Sequence, residues 1–160
     1  MDRSRMLGIY LDDHLALLAA GRALARRMLR RADPQLGDLL REARAALEED
    51  AAEVRAVMDE RGLRRSRLKP VAGALAERAG RLKLNGAVVR RSPLTPLVEL
   101  DGLGLILEGV RARWAAVEAA GALAGADPGR RAERVAGLAE RAETIRVRLA
   151  PEALAGGAGP

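Results

Sequence analysis

His14 is the only histidine in a chain of 160 residues that carries 22 carboxylates and no cysteine. Metal or acid–base chemistry would therefore have to be built from Asp and Glu gathered around one imidazole. This composition excludes thiol catalysis, disulfide frameworks, Cys-ligated zinc, iron–sulfur centres and any site that needs two histidines. His14 lies between Leu11 and Leu17/Leu18 on an apolar stripe, Asp50 lies between Leu47 and Val54, and Glu53 borders that second stripe. Reflecting His14 through the turn at Asp33 reaches about position 52. The same depth past Pro93 reaches about 109, beside Glu108, and reflection through a turn near Ala126 reaches Glu143, with Glu140 one turn earlier. One layer could thus hold His14, Asp50, Glu53, Glu108, Glu140 and Glu143. As a carboxylate-rich set it would suit a hard divalent cation. Two plainer readings use the same residues. His14 could hydrogen-bond Asp50 or Glu53 as a buried pair that sets register. Alternatively, Glu140 and Glu143 could face outward and pair with Arg141 or Arg146. The expectation adopted is a structural polar layer of His14, Asp50, Glu53 and Glu108, with no catalytic residue, no cofactor, and a divalent metal as the alternative.

Other chemistry is sparse. Ser4, Ser66, Ser92, Thr95 and Thr144 are the only Ser/Thr residues, and none is followed by a convincing base. Ser92 reads as a helix cap before Pro93. No phosphate loop or dinucleotide fingerprint occurs. With no Phe, one Tyr (Tyr10) and one Trp, recognition by stacked aromatics is disfavoured, and Trp114 is expected in the core or an interface.

The elements that would position these residues are helical. Apolar residues recur at three- and four-residue steps from about Met6 to Arg31 (Leu7, Leu11, Leu18, Ala25, Met28) and from about Pro34 to Arg61 (Leu36, Leu40, Leu47, Val54). Asp33-Pro34 separates the two, and Gly62 is a stop. A shorter, weaker helix is expected over about Arg67–Leu84, with Asn85-Gly86 as its end. A long helix follows from near Pro93 to about Leu123, apolar around much of its girth, so neighbours should cover it on more than one side. Asp127-Pro128 opens the last helix, carrying Val135, Leu138, Ala142, Ile145 and Leu149. The expected domain is residues 6–150, flanked by disordered residues 1–5 and 151–160. Each long pair joined by a tight proline turn is an antiparallel hairpin, and a long crossover between hairpins makes the second and fourth predicted helices parallel. The fold class is therefore all-α: a ferritin-like antiparallel four-helix bundle whose long crossover contains a short fifth helix.

The stretch Tyr10-Leu11-Asp12-Asp13-His14-Leu15-Ala16, the run Ala79-Gly80-Arg81-Leu82-Lys83-Leu84-Asn85-Gly86, and Ser92-Pro93-Leu94 with Leu97-Val98-Glu99-Leu100 together resemble an uncharacterised group of actinobacterial ferritin-like proteins. The resemblance spans about Leu7 to Leu149 and implies the fold. It implies no activity. Di-iron bundles of this fold supply a Glu from each of two helices and a Glu-x-x-His pair from each of the other two. Here Asp50-x-x-Glu53 and Glu140-x-x-Glu143 carry carboxylates in place of those histidines, and the first helix offers His14 rather than Glu.

The formal charge of +6 is unevenly spread. Residues 61–91 hold ten basic side chains (Arg61, Arg64, Arg65, Arg67, Lys69, Arg78, Arg81, Lys83, Arg90, Arg91) and the single acid Glu77, a net +9; the remainder has 18 basic and 21 acidic residues, a net −3. The patch from Arg64 to Arg91 could meet an anionic partner, or be a solvated basic crossover. Sequence-specific nucleic-acid reading is not expected, because no stacking aromatics or known motif accompany it. No targeting segment or transmembrane run is read, so a cytoplasmic location is expected. The functional expectation is a non-enzymatic structural or interaction protein. Self-association is favoured by the broadly apolar fourth predicted helix. The alternatives are a divergent metal-binding bundle and an accessory factor that docks on anionic surfaces through 61–91.

Overall fold

The computed structural model describes residues 3–63 and 94–155. Its elements are α1 (Arg3–Leu29), α2 (Pro34–Glu60), α3 (Leu94–Ala119), a 3-10 turn (Ala124–Ala126) and α4 (Pro128–Leu154). No strand occurs among the described residues. Side-chain chemistry sets the boundaries. The Asp33 carboxylate accepts the Leu36 N–H at 2.8 Å and Pro34 occupies the first turn, so α2 starts where the sequence predicts. It stops at a glycine turn: Gly62 has φ +62°, its N–H reaches the Asp59 carbonyl, and the Leu63 N–H reaches the Met58 carbonyl. The same motif ends α3, with Gly121 at φ +58° and Ala122 donating to the Val117 carbonyl.

That second stop corrects the expected end near Leu123. Leu123 continues the apolar period but packs into the core from beyond the helix, 2% exposed. The termini are corrected as well. Residues 3–5 and 151–154 are helical rather than disordered. Pro151 lies inside α4 although it has no N–H to donate one turn back, and the helix continues to Leu154, with Ala153 buried there. The expected short helix at 67–84 and the Ser92 cap lie outside the described residues.

The packing pairs are α1/α2, α1/α3, α2/α4 and α3/α4. Every one of them is antiparallel. Arg22 meets Glu48 across α1/α2. Across α1/α3, Arg113 donates to the Tyr10 carbonyl while Arg27 binds Glu99. Arg134 reaches Asp50 and Arg148 reaches Gln35 across α2/α4, and Arg146 lies 3.5 Å from Asp101 across α3/α4. Since α2 and α3 both oppose α1, they run parallel to each other on a diagonal. The end of α2 and the start of α3 therefore lie at opposite ends of the bundle, about 40 Å apart by helix rise. Between the four helices lies a core of Leu11, Leu18, Leu39, Leu47, Leu103, Leu107 and Leu138, all at most 2% exposed.

Gly21 sits where three helices meet. A Cβ there would lie 2.7 Å from Leu47 Cδ1 and 2.9 Å from Ile106 Cγ2.

Candidate functional site

The polar groups that matter collect at one end of the bundle, where the N-terminal half of α1 meets the C-terminal parts of α2 and α3 and the first turns of α4. Asp50 is completely buried. Its Oδ2 accepts the Trp114 indole N–H at 2.8 Å. Its Oδ1 accepts from Arg131 at 2.8 Å and from Arg134 at 2.7 Å. Three of the roughly four lone-pair directions of a carboxylate are thus occupied. Both arginines are shared. Arg131 also donates to the Ala126 carbonyl at 2.7 Å and to Glu53 at 3.1 Å, and its guanidinium lies 5.4 Å from the Trp114 ring centroid. Arg134 also contacts Glu49 and donates to the Ala46 carbonyl. Its hydrogen bond to Glu49 holds that exposed carboxyl below its ordinary range. The cluster fastens the α3–α4 hairpin onto α2.

His14 lies in the same layer and takes no part in this network. It is fully buried, and its ring meets Trp114 edge-on with centroids 4.9 Å apart. Neither Nδ1 nor Nε2 has a hydrogen-bond partner among the described residues. Burial, reinforced by the nearby Arg113 charge, pushes its pKa down to about 3, so the imidazole is neutral at any physiological pH.

The structure brings two residues of the expected layer together in the core and places the others at its edge or on the surface. His14 and Asp50 are buried at one depth, with Glu53 half-buried at the edge. The expected His14–Asp50 or His14–Glu53 hydrogen bond is not made, because Trp114 and the two arginines take the carboxylates. Glu108, Glu140 and Glu143 are exposed. Glu108 binds Arg111 at 2.8 Å, while Arg146 grips both oxygens of Glu143 at 2.6 Å and holds its carboxyl below the ordinary range. No group of three or more His, Asp or Glu side chains among the described residues is arranged to hold a metal ion. The anionic-partner residues Arg64, Arg65, Arg67, Lys69, Arg78, Arg81, Lys83, Arg90 and Arg91 lie outside the described residues. No described helix is long and apolar enough to cross a membrane.

Sequence reasoning missed Arg131 and Arg134, although their signal was present. Arg131 stands four residues before Val135 and Arg134 four before Leu138, so both extend the buried stripe of α4 toward its start. At the opposite end of the bundle, Met28, Arg31, Ala32, Leu36, Thr95, Pro96 and Glu99 line an open cleft of about 180 Å³ with a mostly apolar wall. Comparison with known proteins adds no relative: no family model, no curated protein and no solved structure matches the chain.

Proposed function

We propose that this chain is a ferritin-like bundle with a structural or interaction role rather than a catalytic one. The observation that carries this reading is the threefold engagement of Asp50. The one fully buried carboxylate among the described residues is spent on an indole and two guanidinium groups, and those same arginines engage its carboxylate neighbours. A carboxylate so engaged is a poor metal ligand or general base, and a good clamp. The parallel diagonal pair and the two antiparallel hairpins support the ferritin-like assignment. The test is metal content and metal response. Protein purified without chelator should carry no stoichiometric metal, and its Tm should not rise with iron, manganese or zinc. Stoichiometric metal with a raised Tm would overturn the reading in favour of the divergent metal-binding bundle.

A second reading rests on charge alone. The +9 of residues 61–91, set against −3 elsewhere, supports an accessory role on anionic surfaces, carried by long-range attraction. Retention on DNA or acidic vesicles that weakens steeply with salt would support it; absence of retention at low salt would end it.

A further inference from the structure

We propose that His14 is an acid-sensitive latch: as pH falls from about 7.5 to about 5, its protonation releases the first half of α1, residues 3–20, while α2, α3 and α4 stay clamped together. The latch is independent of whether the bundle binds metal.

It follows from where the imidazole sits. His14 is fully buried, edge-on to Trp114, and neither ring nitrogen has a hydrogen-bond partner among the described residues. A neutral imidazole tolerates such a place at a cost. An imidazolium does not, because its two N–H donors and full charge need water or an acceptor. Helix α1 packs on α2 and α3, and the charged groups they bring to this layer offer no help. On α2, Asp50 accepts from Trp114, Arg131 and Arg134, and Glu53 accepts from Arg131. The two groups from α4 are those same cations. On α3, Arg113 adds a further cation, whose charge joins burial in holding the imidazole neutral. On α1 itself, Asp12 and Asp13 are half-buried, but they precede His14 by two residues and one and so point about 200° and 100° away around the helix.

Two features decide which part of the molecule moves. The first is the reach of the Asp50 clamp. Its bonds run to Trp114 on α3 and to Arg131 and Arg134 on α4, and none runs to α1. Carboxylates stay largely ionised down to about pH 5, so this clamp persists while α1 leaves.

The second is the division of α1 at Gly21, a weak helix former. Beyond it, Arg22 binds Glu48 and Arg27 binds Glu99, which fixes the second half to α2 and α3. Ahead of it, Arg113 donates to the Tyr10 carbonyl at 3.2 Å, and its guanidinium lies 4.9 Å from the Tyr10 ring centroid. Tyr10 stands one turn before His14. A charged His14 therefore competes with the contact that draws this half of α1 onto α3, because both involve the same guanidinium in a layer closed to solvent. Swinging residues 3–20 outward hydrates the imidazolium and separates the two cations, and the clamp survives. Opening of one cooperative segment costs less than opening the whole bundle.

Hydrogen exchange of the full chain, resolved by peptide and corrected for the intrinsic rate at each pH, tests this. Any opening that exposes His14 becomes about 30-fold more populated between about pH 7.5 and about pH 5, because only the open form takes up the proton. Amides of residues 7–20 should exchange faster than those of 47–58 at both pH values, and should gain that factor of about 30 on acidification. Residues 24–29 should stay with the slower group. His14→Leu should abolish the acid acceleration, and so should His14→Gln, which keeps a polar side chain at the site and cannot titrate. Equal exchange of 7–20 and 47–58 would overturn the proposal, since α1 would then open only with the whole bundle. Acid acceleration that persists in both variants would overturn it too. Exchange of 24–29 together with 7–20 would overturn the hinge at Gly21.

Discussion

Asp50 and His14 occupy one buried layer and have opposite energetic roles. Asp50 anchors α4 through two half-buried arginines and satisfies the Trp114 N–H, so Asp50→Asn should cost about 3 kcal/mol by leaving both guanidinium groups facing a neutral amide. Urea unfolding measures it, and Glu143→Gln is the control, expected to be close to neutral because Glu143 is exposed. His14 is a liability: two buried ring nitrogens without hydrogen-bond partners among the described residues. Its pKa is pushed down to about 3 from 6.5. Above pH 6.5 neither the folded nor the unfolded state binds the proton, and His14 has no effect on pH dependence. As pH falls below 6.5 the unfolded chain takes up a proton that the folded chain refuses, and stability is lost at about 1.4 kcal/mol per pH unit. Unfolding free energies at pH 6.5 and 5 should therefore differ by about 2 kcal/mol, in a window where most carboxylates are still ionised. His14→Leu should flatten that slope and raise stability at neutral pH by about 1 kcal/mol. A variant as acid-sensitive as the wild type would show the proton goes elsewhere. The burial of both residues was legible in the sequence from their places on apolar stripes. Their partners were not, because a stripe shows which way a side chain faces and not which of several facing groups wins its hydrogen bond.

Helix boundaries were legible wherever a residue type acts locally. Asp33-Pro34 and Gly62 act through one carboxylate and one left-handed backbone, and both stand where expected. The end of α3 was misplaced because Leu123 keeps the apolar rhythm after the chain has left the helix at Gly121. Glycines inside helices divide by what surrounds them, which no periodicity reveals. At Gly104 nothing among the described residues lies within 4 Å of an added Cβ, so Gly104→Ala should stabilise by about 0.5–1 kcal/mol through backbone entropy. At Gly21 the added methyl would press on Leu47 at 2.7 Å and Ile106 at 2.9 Å. Both of those side chains are buried, so Gly21→Ala should destabilise by about 1–2 kcal/mol despite the same entropy gain. Thermal unfolding of the two variants side by side checks the sign of each. If both are stabilised, the α1, α2 and α3 backbones do not approach as closely as the structure places them.

At the scale of the molecule, the direction of every helix followed from two proline turns and the length of chain between the hairpins, while the depth of α3 and α4 did not. Counting from Pro93 set Asp50 level with position 109, whereas the indole that meets it belongs to Trp114, five residues on. The turn that relates α3 to α4 lies near position 124 rather than 126, as the Asp101–Arg146 and Glu118–Gly129 proximities require. Reflection doubles the second error, and the sum carries the expected partner from Arg131 and Arg134 to Glu143, nearly three turns away. Small slips in depth therefore exchanged an arginine clamp for an imagined ring of carboxylates, even though the neighbour relations were right. Those relations can be tested without a structure. Arg27→Cys with Glu99→Cys joins α1 to α3, and Gln35→Cys with Arg148→Cys joins α2 to α4; both pairs touch in the wild type. A short bismaleimide should close each pair within one chain and raise Tm by removing entropy from the unfolded state. A bundle that alternated direction through consecutive helices would make α2 and α3 neighbours and place α1 and α3 on a diagonal. The first pair would then stay open under the reagent while the wild-type fold persisted.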